Sequence, residues 1–188
     1  MFLFIFGEGD LTDQQKMDFV SFVKDDGKGV VGTHAGNGGF YEWPEFGDDG
    51  RLFRQSSLGH FEGRVVVEAP DFPAMKHFPK TFMKMEEYYE LRAQPYSRDK
   101  VRVLAHLDGS TLDLKNPNYH RKDGDFPVAL ARTYSKGRTF WSNFGHASET
   151  WDDPDIQKMY LEAIKWAMGI TQGDAHPRSL QAGQAVPK

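Results

Sequence analysis

The sequence predicts an α/β domain on a mostly parallel sheet, because strand and helix patterns alternate from its first residues onward. Phe2–Phe6 is an uninterrupted apolar run, which is typical of a parallel strand buried on both faces. A helical pattern follows, and Val30–His34 is predicted as a second buried strand. This succession predicts a βαβ unit with two parallel strands. The chain of 188 residues has the length of one domain.

Two helices carry clear start signals. Thr12 and Gln15 form a capping box, in which each side chain accepts a hydrogen bond from the other residue's backbone N–H, and Gly27 ends this first helix. Near the C-terminus, Asp153 is the predicted N-cap and Pro154 the first helical residue. Apolar residues then recur with helical spacing as far as Gly169.

The middle of the chain is predicted to hold the remaining strands. Residues 35–61 are rich in Gly and aromatic residues without a clear period, which indicates a long loop of the kind that is usually functional. Strands are predicted at Arg64–Ala69, Val101–Leu107, Val128–Thr133 and Thr139–Phe144. Residues 134–138 join the last two strands as a hairpin. We assign residues 1–170 to the domain and the polar residues 171–188 to a flexible tail.

Composition and missing motifs exclude several classes of function. The formal net charge of −4 argues against a general nucleic-acid binder. No apolar run is long enough for a membrane-spanning helix, and the absence of Cys excludes disulfides, Cys-ligated zinc and a cysteine nucleophile. The sequence has no phosphate-binding loop and no dinucleotide fingerprint, so no nucleotide cofactor is expected. The compartment stays open between the cytoplasm and export.

Two histidines, His34 and His146, stand where predicted strands end. Ligands of open α/β sheets bind outside the carboxyl ends of the strands, so both imidazoles are expected to face one crevice. There they would form a catalytic acid/base pair, because imidazole titrates near neutral pH. Glu87 or Glu8 would orient one imidazole or polarise the substrate. The alternative for each histidine is a structural role, as a helix cap or as a partner of a loop carbonyl.

Other residues near these positions are candidates for holding a sugar. Glu86 and Glu87 are adjacent in a strand-like segment, so one carboxylate is expected to reach the site and the other to be solvated. The candidate substrate-binding residues are Glu8, Tyr41, Trp43, His60, Tyr88 and Trp151. Aromatic faces stack on sugar rings, and the alternative for these aromatic residues is packing in the core.

Several segments of the chain, in the same order, resemble the trehalose-utilisation (ThuA-like) family. The longest is Tyr134–His146 (YSKGRTFWSNFGH), followed by WDDP at 151–154 and IKWAMG at 164–169. Shorter matches are GEGDLT at 7–12, GTHA at 32–35, FYEWP at 40–44, GHF at 59–61 and EEY at 86–88. The resemblance extends from the first residues to about Gly169.

The resemblance implies a flavodoxin-like three-layer sandwich of the class I glutamine amidotransferase-like type. It places His34 at or beside the turn that holds the nucleophilic cysteine of amidotransferases, and His146 at their later histidine turn. Because the chain has no Cys, glutaminase activity is excluded. Family members ordinarily have another βα segment before the strand that here begins at Met1. We therefore expect an N-terminally truncated member that lacks its first βα segment.

The resemblance also implies a role in the catabolism of trehalose or a related glycoside, often beside a sugar oxidoreductase. The first hypothesis is an enzyme of the hydrolase or lyase class, which hydrolyses, eliminates or isomerises a disaccharide or its 3-keto form. The second makes His34, His60 and His146, with one Glu, the ligands of zinc or another divalent ion; otherwise no cofactor is expected. The third is a non-catalytic sugar-binding or interaction domain, as a homo-oligomer that completes its sheet through a partner chain.

Overall fold

The computed structural model describes residues 2–3, 6–7, 11–39, 43, 55–92, 96–180 and 186. They form an α/β fold with few helices. The strands are β1 (Phe2–Leu3), β2 (Phe6–Gly7), β3 (Gly29–Thr33), β4 (Gly38–Gly39), β5 (Gln55–Val67), β6 (Thr81–Leu91), β7 (Arg102–Asp108), β8 (Asp125–Tyr134) and β9 (Gly137–Ser142). The α-helices are α1 (Asp13–Lys24), α2 (Ser148–Trp151) and α3 (Pro154–Ala167).

Seven of these strands form one mixed sheet in the order β1-β3-β9-β8-β7-β5-β6, and β2 pairs with β4 separately. The β1–β3 and β3–β9 pairs are parallel. The four remaining neighbour pairs are antiparallel. The described sheet is therefore mixed, and not mostly parallel as the sequence suggested. The reason is that hairpins such as β8–β9 reverse the chain, whereas the parallel β1–β3 pair is joined through α1.

The predicted βαβ unit is confirmed, since β1 and β3 are parallel with α1 between them in sequence. Thr12 caps α1, and the capping box with Gln15 is present in both directions. Asp153 caps α3 through a bond to the Asp155 backbone N–H, and Pro154 opens the helix. The β8–β9 hairpin is also confirmed.

The two long helices cover opposite faces of β3. Val30 packs in one cluster with Val23 of α1, whereas Val31 belongs to the main core with Ile156 and Ala163 of α3. Because neighbouring residues of a strand point to opposite faces, a helix lies on each side of the sheet at this strand. A third cluster, which includes Tyr96, covers the sheet around β7, β8 and β9.

The longest hairpin of the fold, β5–β6, begins inside the segment predicted as a loop. Residues 55–61 already belong to β5 and pair with β6 as far as Leu91. The expectation of an irregular segment from Ala35 to Phe61 is therefore wrong for its last residues. The cause is the polar, Gly-containing sequence of this part of β5, interrupted by a register shift between Ser57 and Gly59, which hides the period of two.

Part of the segment predicted as a tail packs on the domain. The Trp166 indole N–H donates a hydrogen bond to the Gly173 carbonyl at 3.2 Å, and Ala175 is buried. Flexibility of residues beyond this part stays a prediction. None of the helices in the described ranges has the length and apolar character that crossing a membrane requires.

A buried ion network fixes the segment after β5 to β7 and β8. The Arg98 guanidinium donates two hydrogen bonds to Glu68, at 2.8 and 2.9 Å, and two more to Asp125 Oδ1. His106 Nδ1 lies 2.7 Å from Glu68 Oε1, one of the two oxygens that Arg98 contacts. Burial opposes the charge of Glu68, but the hydrogen bonds from His106 and Arg98 prevail and lower its pKa from 4.5 to about 2.

This network makes stability depend on pH through Glu68. Because the folded pKa is lower than the unfolded one, the contribution is fully present above pH 4.5 and is lost as pH falls towards 2. A pKa this far below its ordinary value corresponds to roughly 3 kcal/mol at neutral pH. We expect Glu68→Gln to reduce the free energy of unfolding by about this amount at neutral pH and much less near pH 2. Denaturant titrations across this range measure the difference.

The matched control for this prediction is Glu62→Gln, because Glu62 is an exposed glutamate of β5. Its effect on the free energy of unfolding should stay within about 0.5 kcal/mol at every pH. A Glu68→Gln effect of constant size from neutral pH down to strong acid would contradict the assignment.

Candidate functional site

Three elements bring His34, Glu87 and His146 into one cluster, which we call the His–Glu–His cluster. His34 directly follows β3, Glu87 lies on β6, and His146 follows β9. The Glu87 Oε2 atom lies 3.3 Å from His34 Nε2 and 3.0 Å from His146 Nδ1. The two imidazole rings have centroids 5.1 Å apart. Because β3 and β9 are parallel neighbours, their carboxyl ends meet at the same edge, as the sequence argument assumed.

His34 is held in an unusual backbone conformation at the end of its strand. Its φ of 42° lies in the left-handed region, which non-glycine residues rarely adopt outside functional sites and turns. The Trp141 indole N–H donates to the His34 carbonyl at 2.9 Å. Burial lowers the pKa of the His34 imidazole, although the charges of Glu86 and Glu87 act in the opposite direction. Its Nε2 atom is buried and makes no hydrogen bond within the described residues.

Glu87 is held by its neighbours on β6 and after β9. The Tyr89 hydroxyl donates to Glu87 Oε2 at 3.1 Å and lies 3.5 Å from His34 Nδ1. The Asn143 amide donates to the Glu87 carbonyl at 2.7 Å, and its oxygen accepts from the Tyr89 backbone N–H at 2.9 Å. Asn143 is fully buried. It therefore fixes β6 against the end of β9 at the level of the cluster.

Glu86 holds the turn that carries His146. Its carboxylate is 0% exposed and accepts hydrogen bonds from the backbone N–H groups of Gly145 and His146, at 2.9 and 3.2 Å. Further bonds come from the Thr150 hydroxyl and from the Glu87 N–H, both at 2.9 Å. The expectation that one of the two adjacent glutamates is solvated is therefore wrong: Glu87 is in the cluster, and Glu86 is buried beneath it.

Gly145 permits the close approach of this turn to the end of β3. Its φ is +128°, and a Cβ at this position would lie 2.5 Å from Thr33 Oγ1 and 2.8 Å from the Trp151 ring. Trp151, a predicted substrate-binding residue, is half-buried behind the turn, where its indole N–H donates to the Gly145 carbonyl at 3.2 Å. His60 is also a predicted substrate-binding residue. It is exposed on β5, and its ring centroid lies 5.8 Å from that of His146.

Two further predicted substrate-binding residues, Trp43 and Tyr88, do not join the cluster. Trp43 is buried with Val23 and Val30, and its ring packs against that of Phe19 with the ring centroids 5.9 Å apart. Tyr88 is 1% exposed and lies in the main core, with its hydroxyl donating to the Lys84 carbonyl. For both, the core-packing alternative describes their position. Glu8 and Tyr41 lie outside the described residues.

Sequence reasoning missed three residues that shape the site: Tyr89, Asn143 and Glu86 in its buried role. Alternation on β6 gives a signal for Tyr89, since residues 87 and 89 share a face of the strand. Asn143 had a signal too, because it precedes His146 at the end of a predicted strand. Nothing local distinguishes a buried glutamate from a solvated one.

The cluster has the donor set of a metal site as well as that of a proton-transfer site. His34, Glu87 and His146 each offer one ligand atom, and these atoms lie within 4.8 Å of one another. His60 is not part of this group of three. The same three groups also suit acid/base chemistry, because the carboxylate contacts both imidazoles.

The fold and the site together define an α/β domain with a histidine–carboxylate cluster at the carboxyl ends of parallel strands. The family model described as trehalose utilisation (ThuA) matches residues 1–167. The chain therefore belongs to the ThuA family, and this membership supports a role in carbohydrate metabolism. No curated protein matches the chain.

Solved structures of ThuA-like proteins share the fold. One, from Parabacteroides merdae, is 20% identical with a TM-score of 0.67, and the match covers 90% of this chain and 74% of that protein. Another, from Bacteroides uniformis, is 22% identical with a TM-score of 0.64, over 86% of this chain and 66% of that protein. The match thus spans about two thirds to three quarters of these relatives.

We expect Glu86→Ala to destabilise the protein and to release the turn at His146. The substitution removes the acceptor of three part-buried backbone N–H groups, and a hydrogen bond to a charged group contributes about 1.5–3 kcal/mol. The free energy of unfolding should therefore fall by roughly 3 kcal/mol or more. Denaturant titration measures it beside Glu62→Ala, an exposed glutamate of the adjoining strand. Equal stability of the two variants would disprove the role given to Glu86.

Proposed function

We propose that the chain is a sugar-acting enzyme of carbohydrate catabolism. It would hydrolyse, eliminate or isomerise a disaccharide, such as trehalose or a related glycoside, or its 3-keto form. Membership of the trehalose-utilisation family supports the substrate class. The His–Glu–His cluster supports the reaction type, because each of these reactions requires a base that takes a proton, from the substrate or in hydrolysis from water, and an acid that gives one to the substrate.

The observation that carries the proposal is the position of Glu87 between two imidazoles. Its Oε2 atom is 3.3 Å from His34 Nε2 and 3.0 Å from His146 Nδ1. A carboxylate in contact with an imidazole orients the ring and stabilises its protonated form. Glu87 would do this for both histidines, so that one acts as the base and the other as the acid.

The two histidines differ in exposure, which suits different roles. The His34 side chain is 8% exposed, whereas that of His146 is 49% exposed. A substrate arriving from solvent would meet His146 first, with His60 beside it. His34 would act from the buried side of the cluster, where its low exposure excludes competing water. Titratable groups in such unlike environments are the pattern from which acid and base roles are assigned.

For the fold, we propose the flavodoxin-like layering of the class I glutamine amidotransferase-like proteins. Its support is local: α1 and α3 lie on opposite faces of β3, which is parallel to both of its neighbours. Glutaminase chemistry is not part of the proposal, because the chain has no Cys. A sugar oxidoreductase that supplies the 3-keto form is the partner in the pathway that this chemistry calls for.

The test is turnover of a sugar panel by the purified protein and by the His34→Ala/His146→Ala double variant. The panel contains trehalose, related disaccharides and their 3-keto forms, and mass spectrometry follows the products. Loss of a general acid–base pair is expected to lower turnover at least 10²–10⁴-fold, roughly, for each group. His176→Ala is the matched control, because His176 is exposed and paired with Asp174 away from the cluster.

Two results would change the proposal. Equal turnover by the parent and the double variant would remove the histidines from the reaction. Binding of a panel sugar by calorimetry, without conversion by the parent, would instead favour a non-catalytic sugar-binding domain.

A further inference from the structure

We propose that the His–Glu–His cluster binds one divalent first-row metal ion, with zinc as the first choice. The proposal deepens the proposed function and rests on it, because it names the cofactor of the same reaction centre. The ligands are His34 Nε2, Glu87 Oε2 and His146 Nδ1. Two imidazoles and one carboxylate form a ligand set that zinc accepts in catalytic sites and that other first-row metals accept as well.

The distances between the ligand atoms fit a metal ion. Zinc lies about 2.0–2.2 Å from nitrogen and oxygen ligands, so two ligands of a tetrahedral site are about 3.3 Å apart. The Glu87 oxygen is 3.3 Å from the His34 nitrogen and 3.0 Å from the His146 nitrogen. All three atoms lie within 4.8 Å.

The His34 ring supplies the second, independent observation. Its Nε2 atom is buried and has no hydrogen-bond partner in the part of the chain that the structure describes, although Glu87 Oε2 is 3.3 Å away. A buried nitrogen without a partner costs about 1–3 kcal/mol. A bound cation removes this cost, because the unpaired nitrogen then donates its lone pair to the metal.

The surroundings of the three ligands are those of a metal site. The Tyr89 hydroxyl donates to the ligand atom of Glu87 at 3.1 Å and lies 3.5 Å from the other nitrogen of His34. Such outer contacts fix the orientation of metal ligands. The fully buried Glu86 adds a second negative charge directly behind the turn of His146. Two adjacent carboxylates beside two imidazole nitrogens form a site that suits a divalent cation.

The cluster also leaves one side of such an ion accessible. The Glu87 and His146 side chains are 20% and 49% exposed, and three protein ligands with an open position are the pattern of catalytic zinc sites. The hydroxyl and carbonyl oxygens of a 3-keto sugar are ligands for that position. His34, Glu87 and His146 would hold the ion, and a metal-bound water at the open position would supply the acid/base function that the unliganded imidazoles would otherwise have.

The direct test is calorimetric titration of chelator-treated protein with Zn²⁺, and in parallel with Mn²⁺ and anaerobic Fe²⁺. We expect one ion per chain for at least one of the metals, together with a higher Tm, because an ion that binds only the folded state stabilises it. His34→Ala and Glu87→Ala should each weaken binding by more than about 100-fold, and Tyr89→Phe by about 10–100-fold. The control His176→Ala should bind like the parent.

Each result of the titration either supports the metal site or contradicts it. Circular dichroism of the metal-free variants shows whether they are folded. If an alanine variant does not fold, the weaker metal binding expected for Tyr89→Phe still tests the proposal. Absence of binding for all three metals, or binding that survives in folded His34→Ala and Glu87→Ala, overturns the metal site.

Turnover of the sugar panel by metal-free and metal-loaded protein separates this proposal from the proposed function. Turnover that a chelator does not affect would leave the enzyme standing and remove the metal from its reaction. Stoichiometric metal binding without turnover of any panel sugar would keep the site and remove the enzyme.

Discussion

A buried carboxylate, that of Glu86, joins the middle of β6 to the turn after β9. Of the four hydrogen-bond donors that it has among the described residues, three are backbone N–H groups, two of them in the turn at Gly145 and His146. Burying a charge is costly unless hydrogen bonds compensate it, so the turn and the strand are fixed relative to each other. The His–Glu–His cluster depends on this contact, because Glu87 follows Glu86 directly and His146 is itself one of the donors.

Strand geometry explains how one short segment serves both the core and the site. Successive side chains of a strand point to opposite faces. On β6, Glu86 and Tyr88 point inward, to the buried turn and the main core. Glu87 and Tyr89 point to the other face and meet the histidines. A shift of the strand by one residue would exchange the two pairs, so the long antiparallel pairing with β5 also sets the composition of the site.

Local patterns in the sequence predicted the parts of the fold that local interactions determine. The caps of α1 and α3 and the β8–β9 hairpin depend on residues a few positions apart, and each was predicted from such spacing. The convergence of His34 and His146 was predicted from a general rule about the carboxyl ends of parallel strands. The other antiparallel pairings of the sheet were not predicted, because they join distant parts of the chain, as the pairing of β5 with β7 does.

The site shows the same division between local and distant interactions. Glu86 and its acceptor role depend on a turn 59 residues later in the chain, and no spacing rule reports such a contact. Trp43 and Tyr88 were assigned to the substrate because aromatic rings suit sugars, but the same rings suit a core equally well. Composition alone does not decide between the two positions, and burial does.

The distribution of charge explains why the cluster attracts a proton or a cation. Two buried carboxylates elsewhere in the fold are neutralised by arginine, since Arg98 pairs with both Glu68 and Asp125. Glu86 is different, since within the described ranges its partners are backbone N–H groups and a hydroxyl, which stabilise its charge without cancelling it. Glu87, next to it, contacts only histidines as basic groups in the same ranges. Within the described ranges, the basic groups that contact this pair of adjacent carboxylates are the imidazoles of His34 and His146, so a proton on an imidazole or a bound cation would balance the negative charge there.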